Sequence, residues 1–208
     1  MMFKAVLFDV DGVLLDSQEA LFQVYADGLA RFGLPEQPRE SVLSLSGLTD
    51  YQWIRSLAPR AKDAQVRRCA DWCAHAYAET YLTRFAKPMP GSLNALVRLK
   101  EKMRLAVVTN QTRLQAQQSV RILGFSGFEA VVSMDDVLRP KPSGEPILKA
   151  LADLDLNPSE AVYVGDTITD LVAGKDAKVQ TWLLDAPYNR NLEGLRVNDF
   201  ESLVNMLP

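Results

Sequence analysis

Asp9-Val10-Asp11-Gly12 places two carboxylates two residues apart, directly after the apolar run Ala5-Val6-Leu7-Phe8. Such a run reads as a buried strand whose C-terminal end carries polar work. Two facing carboxylates raise each other's pKa unless a cation neutralises them. A hard divalent ion suits oxygen ligands, and Mg²⁺ also binds phosphate oxygens. A solvated strand end turning at Gly12 accounts for the same residues without catalysis. Gly165-Asp166-Thr167-Ile168-Thr169-Asp170 supplies two more acids, one helical turn apart, after a second apolar run. Helix capping explains a lone Asp at a helix start more simply. It does not explain why acids recur at the ends of two strands expected side by side. Four carboxylates gathered there would repel strongly without a metal.

Two further elements suit an anion. Thr109-Asn110 follows Val107-Val108, and a hydroxyl with free N–H groups at a strand-to-helix turn forms a phosphate cradle. A capping Thr is an equal account of that pair. Lys141 is held between Pro140 and Pro142. On its own it is a solubilising loop lysine; beside an acid-lined phosphate site its ammonium would offset phosphoryl charge.

The elements that must position these groups alternate. Strands are expected at 5–8, 105–108, 130–133, 161–164 and 179–184, with helices at 93–102, 115–123 and 146–154. Alternating strands and helices imply an α/β, Rossmann-like core with a parallel sheet between helices. Ligands bind outside the C-terminal strand ends of such sheets, where Asp9, Thr109 and Asp166 all fall. Between the first strand and the rest, Asp16 and Ser17 offer N-caps, with Glu19 placed for a capping box with Asp16. A helix follows through Leu21, Val24, Tyr25, Leu29 and Phe32, closed by Gly33 and Pro35. Residues 38–85 stay helical, with breaks at Ser46-Gly47 and Ala58-Pro59 and one apolar stripe of Val66, Cys69, Cys73 and Tyr77. Lys87-Pro88-Met89-Pro90-Gly91 is a stiff, helix-incompatible connector. Residues 1–16 and 87–208 are therefore expected to form the core, and 17–86 a small all-helical insert joined at two nearby hinges.

The 208 residues are 48% hydrophobic and 24% charged, which excludes a disordered chain. Net charge is −3 with no dense basic stretch, which argues against a nucleic-acid partner. The apolar start lacks a signal peptide's basic residues and cleavage site, and no run approaches a membrane span of about 20 residues. A soluble, cytoplasmic, monomeric protein is expected. Cys69 and Cys73, four apart on one helix, read as small buried residues with free thiols. The single histidine, His75, lies off the apolar stripe and reads as a surface or insert-interface residue.

Taken together, the four elements resemble the haloacid dehalogenase superfamily of aspartate-nucleophile phosphohydrolases. Asp9-Val10-Asp11-Gly12-Val13-Leu14-Leu15-Asp16-Ser17 is similar to its first motif and Val107-Val108-Thr109-Asn110 to its second. Lys141-Pro142 resembles the third and Gly165-Asp166-Thr167-Ile168-Thr169-Asp170 the fourth. The insert and its Pro-Met-Pro-Gly return resemble the helical-cap subfamily of phosphoglycolate phosphatase and β-phosphoglucomutase. The resemblance implies Asp9 as nucleophile through an aspartyl-phosphate and Asp11 as general acid and base. It implies Mg²⁺ held by Asp9, the Asp11 carbonyl and Asp166, with Asp170 positioning its waters. Thr109 and the Asn110 backbone would hold the phosphoryl group, and Lys141 would stabilise its charge and orient Asp9. Relatives that dehalogenate lack a second aspartate like Asp11, so a phosphate ester of a small metabolite is the implied substrate. The family's glycine-containing cap turn falls at Gly47, Leu48 and Thr49, the candidates for specificity; Trp53 and Arg55 are nearby. Three positions depart from the pattern: Ser143-Gly144-Glu145 where a second Pro is usual, Thr167 for Ser, and Lys178 for Gly. A phosphomutase of the β-phosphoglucomutase type shares these features, and a regulatory phosphate-binding module without turnover would keep the fold.

Overall fold

In the computed structural model, which describes residues 3–207, the run Ala-Val-Leu-Phe forms β1 (Ala5–Phe8) inside a six-stranded sheet. Met1, Met2 and Pro208, at the outer ends of the expected core segments, lie outside the described residues. The chain continues through β2 (Leu15–Asp16), α1 (Gln18–Arg31), α2 (Arg39–Leu43), α3 (Asp50–Leu57), α4 (Asp63–Ala76), α5 (Leu82–Phe85) and β3 (Lys87–Pro88). It then alternates through α6 (Ser92–Lys100), β4 (Arg104–Val108), α7 (Arg113–Leu123), β5 (Ala130–Val132), α8 (Glu145–Asp153) and β6 (Ala161–Gly165). Last come α9 (Ile168–Ala177), β7 (Gln180–Leu184), β8 (Leu195–Val197) and α10 (Phe200–Met206).

The six strands run parallel in the order β5-β4-β1-β6-β7-β8. This is a Rossmann-like α/β sheet. From β1 the chain builds outward through β4 and β5, then crosses back to lay β6 on the other side of β1. That reversal opens a crevice beyond the C-terminal ends of β1 and its two neighbours. Side chains split by parity: Val6, Phe8, Leu105 and Val107 join one core, while Ala5, Leu7, Ala106 and Val108 join the other. Both faces are covered, which is why these strands read as unbroken apolar runs.

Helices α1 to α5 lie between β2 and β3, which pair antiparallel through Leu15↔Pro88 and Asp16↔Lys87. The capping box expected between Asp16 and Glu19 does not form. Asp16 belongs to β2, so its backbone is committed to the ribbon, and Ser17 precedes α1 without a side-chain cap. Glu19 instead accepts from Gln23 (2.8 Å) and Arg39 (2.7 Å). The stripe Val66, Cys69, Cys73 and Tyr77 is buried, and both thiols are free. It does not run along one uniform helix: residues 77–81 form a π turn, with the Leu82 N–H bonded to the Tyr77 carbonyl.

Four elements were not expected. β8 is a three-residue, half-exposed edge strand, and β2 and β3 have two residues each, too short for a period-2 pattern. α10 is capped by Asp199, which accepts from the Ser202 N–H at 2.7 Å, and buries Phe200 and Leu203. Lys178 sits at φ +57°, where a glycine would be unstrained. None of the described helices is long and apolar enough to cross a membrane.

Gly28 sets how closely α1 approaches α4, because a Cβ there would collide with the Cys73 sulfur. Helix propensity alone would make Gly28→Ala stabilising by about 1 kcal/mol. Overpacking costs about 1–3 kcal/mol and should win. Chemical denaturation should show a net loss, partly recovered by adding Cys73→Ala. A neutral or stabilised single variant would contradict this packing.

Candidate active site

Asp9 leaves β1 with its N–H bonded to the Val164 carbonyl of β6 (2.9 Å), so the ends of these strands are tied together. The same register sets Phe8 beside Val164 and brings Asp166 alongside Asp9. Oxygens of Asp9, Asp166 and Asp170 all lie within 4.8 Å of one another, and all three residues are buried.

Lys141 is fully buried, not a solvated loop residue. Its Nζ lies 3.0 Å from Asp9 Oδ1 and 2.7 Å from Asp170 Oδ1, and donates to the Tyr163 hydroxyl at 2.8 Å. Asn110 clamps the lysine's backbone: its Nδ2 donates to the Lys141 carbonyl (2.8 Å) and its Oδ1 accepts the Lys141 N–H (2.9 Å). Burial opposes the ammonium, but the charges of Asp170 and Asp9 hold its pKa well above the ordinary lysine range. Asp170 is occupied at both oxygens. Oδ1 accepts from Lys141 and from Tyr163 (2.7 Å), and Oδ2 from the Thr167 hydroxyl (2.6 Å) and main chain (3.0 Å). Burial would raise the Asp170 carboxyl, yet Lys141 and these hydrogen bonds hold it below the usual carboxylate range.

The other two acids are poorly compensated. Burial pushes Asp9 up to about 7 against the opposing charge of Lys141, with Asp170 and Asp11 adding to the rise. Burial, with Asp170 and Asp9 beside it, raises Asp166 well above the usual range. Asp166 Oδ2 accepts from the Tyr188 hydroxyl, but Oδ1 is buried with no hydrogen-bond partner. An orphaned carboxylate oxygen facing a second underneutralised carboxylate fits a hard divalent cation.

Asp11 follows the same turn but its carboxylate points toward the helical insert, outside the cluster. Oδ1 accepts from Ser17 and Tyr77, both at 2.7 Å, and Oδ2 from Gln111 Nε2 at 2.9 Å. Thr109, at the end of β4, is buried; its N–H bonds the Val132 carbonyl and its Oγ1 accepts the Gln111 N–H. Gly47 of the insert touches the core directly, its carbonyl accepting from Asn110 Nδ2 at 2.8 Å. It needs to be glycine: φ is +92°, and a Cβ would lie 2.8 Å from Thr167 Oγ1. Leu48 lines the cavity above Asp9, whereas Thr49 caps α3 by accepting from the Gln52 N–H. That cavity, between insert and sheet, has a volume of about 30 Å³.

The sequence alone missed several partners. Tyr77 read only as a stripe member. Tyr163 had a usable signal, a hydroxyl in an otherwise apolar strand that needs a partner when buried. Tyr188 and Asn189, whose Nδ2 donates to the Asp166 carbonyl at 2.8 Å, come from a distant loop with no motif. Trp53 lines the cavity, but Arg55 turns away to Asp63 (3.0 Å). His75 is exposed, its Nδ1 2.8 Å from the Asp71 carbonyl.

The chain belongs to the haloacid dehalogenase-like hydrolases, whose pattern matches residues 6–184. It is 31% identical over 178 residues to pyrophosphatase PpaX of Bacillus velezensis, covering 85% of this chain and 81% of that one. Phosphoglycolate phosphatase of Aquifex aeolicus is 33% identical over 183 residues, covering 86% and 84%. A crystal structure of a subfamily IA hydrolase of this superfamily from Geobacter sulfurreducens superposes with TM-score 0.74 at 29% identity, covering 99% and 97%. Within its family the chain is a phosphatase.

A carboxyl that keeps its proton to higher pH in the fold than in the unfolded chain stabilises the fold at low pH. That contribution is lost as pH rises through its folded value. For Asp9 the window runs from about 4 to about 7, and Asp166 acts in the same direction. Chelator-treated protein should therefore melt lower at pH 7.5 than at pH 5. Divalent salt should raise the midpoint at pH 7.5 by about 5–10 °C at a hundredfold excess over Kd, and by less at pH 5. Melting curves indifferent to both pH and metal would contradict the site.

Proposed function

We propose that the chain is a Mg²⁺-dependent phosphatase that cleaves a small phosphate monoester, phosphoglycolate-like or sugar-phosphate-like, by attack of Asp9 on phosphorus. The observation that carries this reading is the pairing of Asp9 with a buried lysine on one side and the orphaned Asp166 oxygen on the other. The first holds a carboxylate in a fixed direction, and the second supports a cation beside it. Mg²⁺ held by Asp9, the Asp11 carbonyl and Asp166, with Asp170 behind, would supply neutralisation of the phosphoryl charge.

In the first step the free Asp9 oxygen bonds to phosphorus as the ester P–O bond breaks. Asp11 gives its proton to the departing alkoxide. Ser17, Tyr77 and Gln111 fix the Asp11 carboxylate for that transfer. In the second step Asp11 takes a proton from water, whose oxygen attacks the aspartyl-phosphate and releases phosphate and free Asp9. Thr109 and the main-chain N–H of Asn110 bind phosphoryl oxygens, and Lys141 offsets their charge while orienting Asp9. Dividing one displacement into two lowers each barrier, and the rest of the work is positioning and charge neutralisation. Residues 17–86 act as a cap that moves about the β2–β3 ribbon to admit the ester and then excludes water.

Pyrophosphatase PpaX and phosphoglycolate phosphatase are the names of two relatives, and both describe release of phosphate. Water is therefore favoured over a sugar hydroxyl as the final acceptor. Asp9→Asn should lower phosphate release by more than about 10³-fold while the melting midpoint stays close to wild type. Turnover comparable to wild type in a folded Asp9→Asn protein would overturn the covalent route.

A further inference from the structure

The phosphatase reading leaves open which alcohol departs, and the cavity that Asp9 shares with the insert bears on it. Asp50, the first residue of α3, lines that cavity. Its Oδ1 accepts from the Tyr25 hydroxyl at 2.7 Å and its Oδ2 from Gln115 Nε2 at 3.2 Å. Both donors are neutral, so the carboxylate's charge is solvated but not cancelled. Asp11 lines the same cavity, and Leu21, Leu48 and Trp53 supply its apolar surface. Among the described residues lining it there is no Lys, Arg or His. Lys141 is committed to Asp9 and Asp170. Burial pushes the Asp50 carboxyl up to about 6, in keeping with a negative charge that lacks a cationic partner.

Resting on that reading and narrowing it to its sugar-phosphate-like side, we infer that Asp50 selects the leaving group: it accepts a hydroxyl of a neutral alcohol and rejects esters whose leaving group carries a carboxylate or a second phosphate. The chemistry is asymmetric. A hydroxyl can take the place of the weak 3.2 Å Gln115 bond, so the acceptor stays satisfied. An anionic leaving group would be desolvated beside two carboxylates with no cation to pair it. The substrate class is then the phosphate esters of small polyols and neutral sugars. The cavity is narrow, at about 30 Å³, so such a group enters as the insert lifts, and Asp50 meets it as the insert returns.

Two esters of nearly equal size isolate the charge: 2-hydroxyethyl phosphate and 2-phosphoglycolate. Wild-type kcat/KM should favour the hydroxyethyl ester by at least about tenfold. Asp50→Asn, which keeps the shape and one acceptor oxygen, should shrink that ratio by at least about tenfold. A merely structural role for Asp50 would scale both esters alike. Equal or faster wild-type cleavage of phosphoglycolate overturns the inference, as does an unchanged ratio in Asp50→Asn. So does cleavage of p-nitrophenyl phosphate with the hydroxyethyl ester untouched. Failure on all three esters would instead remove the phosphatase reading on which the inference rests.

Discussion

A single ammonium, buried and shared between Asp9 and Asp170, ties together the C-terminal edge of the sheet where the acids gather. The three groups come from loops after β1, after β5 and in the first turn of α9, so one ion pair network fixes three separate segments. Removing Lys141 would leave two carboxylates buried without their counter-charge, a loss of about 3–5 kcal/mol for pairs of this kind. The surrounding structure is built to keep the lysine in place. Asn110 grips its main chain from the turn after β4, and Tyr163 of β6 accepts from its Nζ. The same network explains why charge is left over. One ammonium faces three carboxylates within 4.8 Å of one another, and the deficit falls on Asp9 and Asp166. A divalent cation is what such a deficit would suit.

The insert completes the site from above. Tyr77 reaches Asp11, Gly47 rests on Asn110, and Asp50 bonds Gln115 of α7. Asp11 is therefore oriented partly by the core, through Ser17 and Gln111, and partly by the insert, through Tyr77. In the proposed mechanism, the proton transfers assigned to Asp11 would then depend on the contact its Tyr77 partner makes from the insert. The π turn at 77–81 locates that tyrosine, because the wide turn redirects the helix where its first residue meets Asp11.

Much of this was legible in the chain. Acids after two apolar runs and a Thr-Asn pair after a third could be placed at one sheet edge by the rule for parallel strands; the lysine between prolines was given a task there only by the acids and phosphate cradle expected around it. The sequence could not tell where each carboxylate points. Asp9 and Asp11 look equivalent in Asp9-Val10-Asp11, yet one faces Lys141 and the other the insert, a difference set by the turn and by partners about 66 and 100 residues away. Lys141 looked exposed because its local sequence is a loop; only tertiary packing buries it. Asp16 looked like a helix cap because β2 is too short to show alternation. Tyr188 serves the site through its hydroxyl from an exposed loop position, where an isolated aromatic leaves no periodic trace.

The central claim is that acids after β1 and β6 share one divalent ion. Calorimetric titration of chelator-treated protein with Mg²⁺ tests it directly. The account predicts one ion per chain, and binding at least about tenfold weaker when Asp166→Asn removes the orphaned oxygen's charge. No measurable binding, or binding that the substitution leaves untouched, would contradict it.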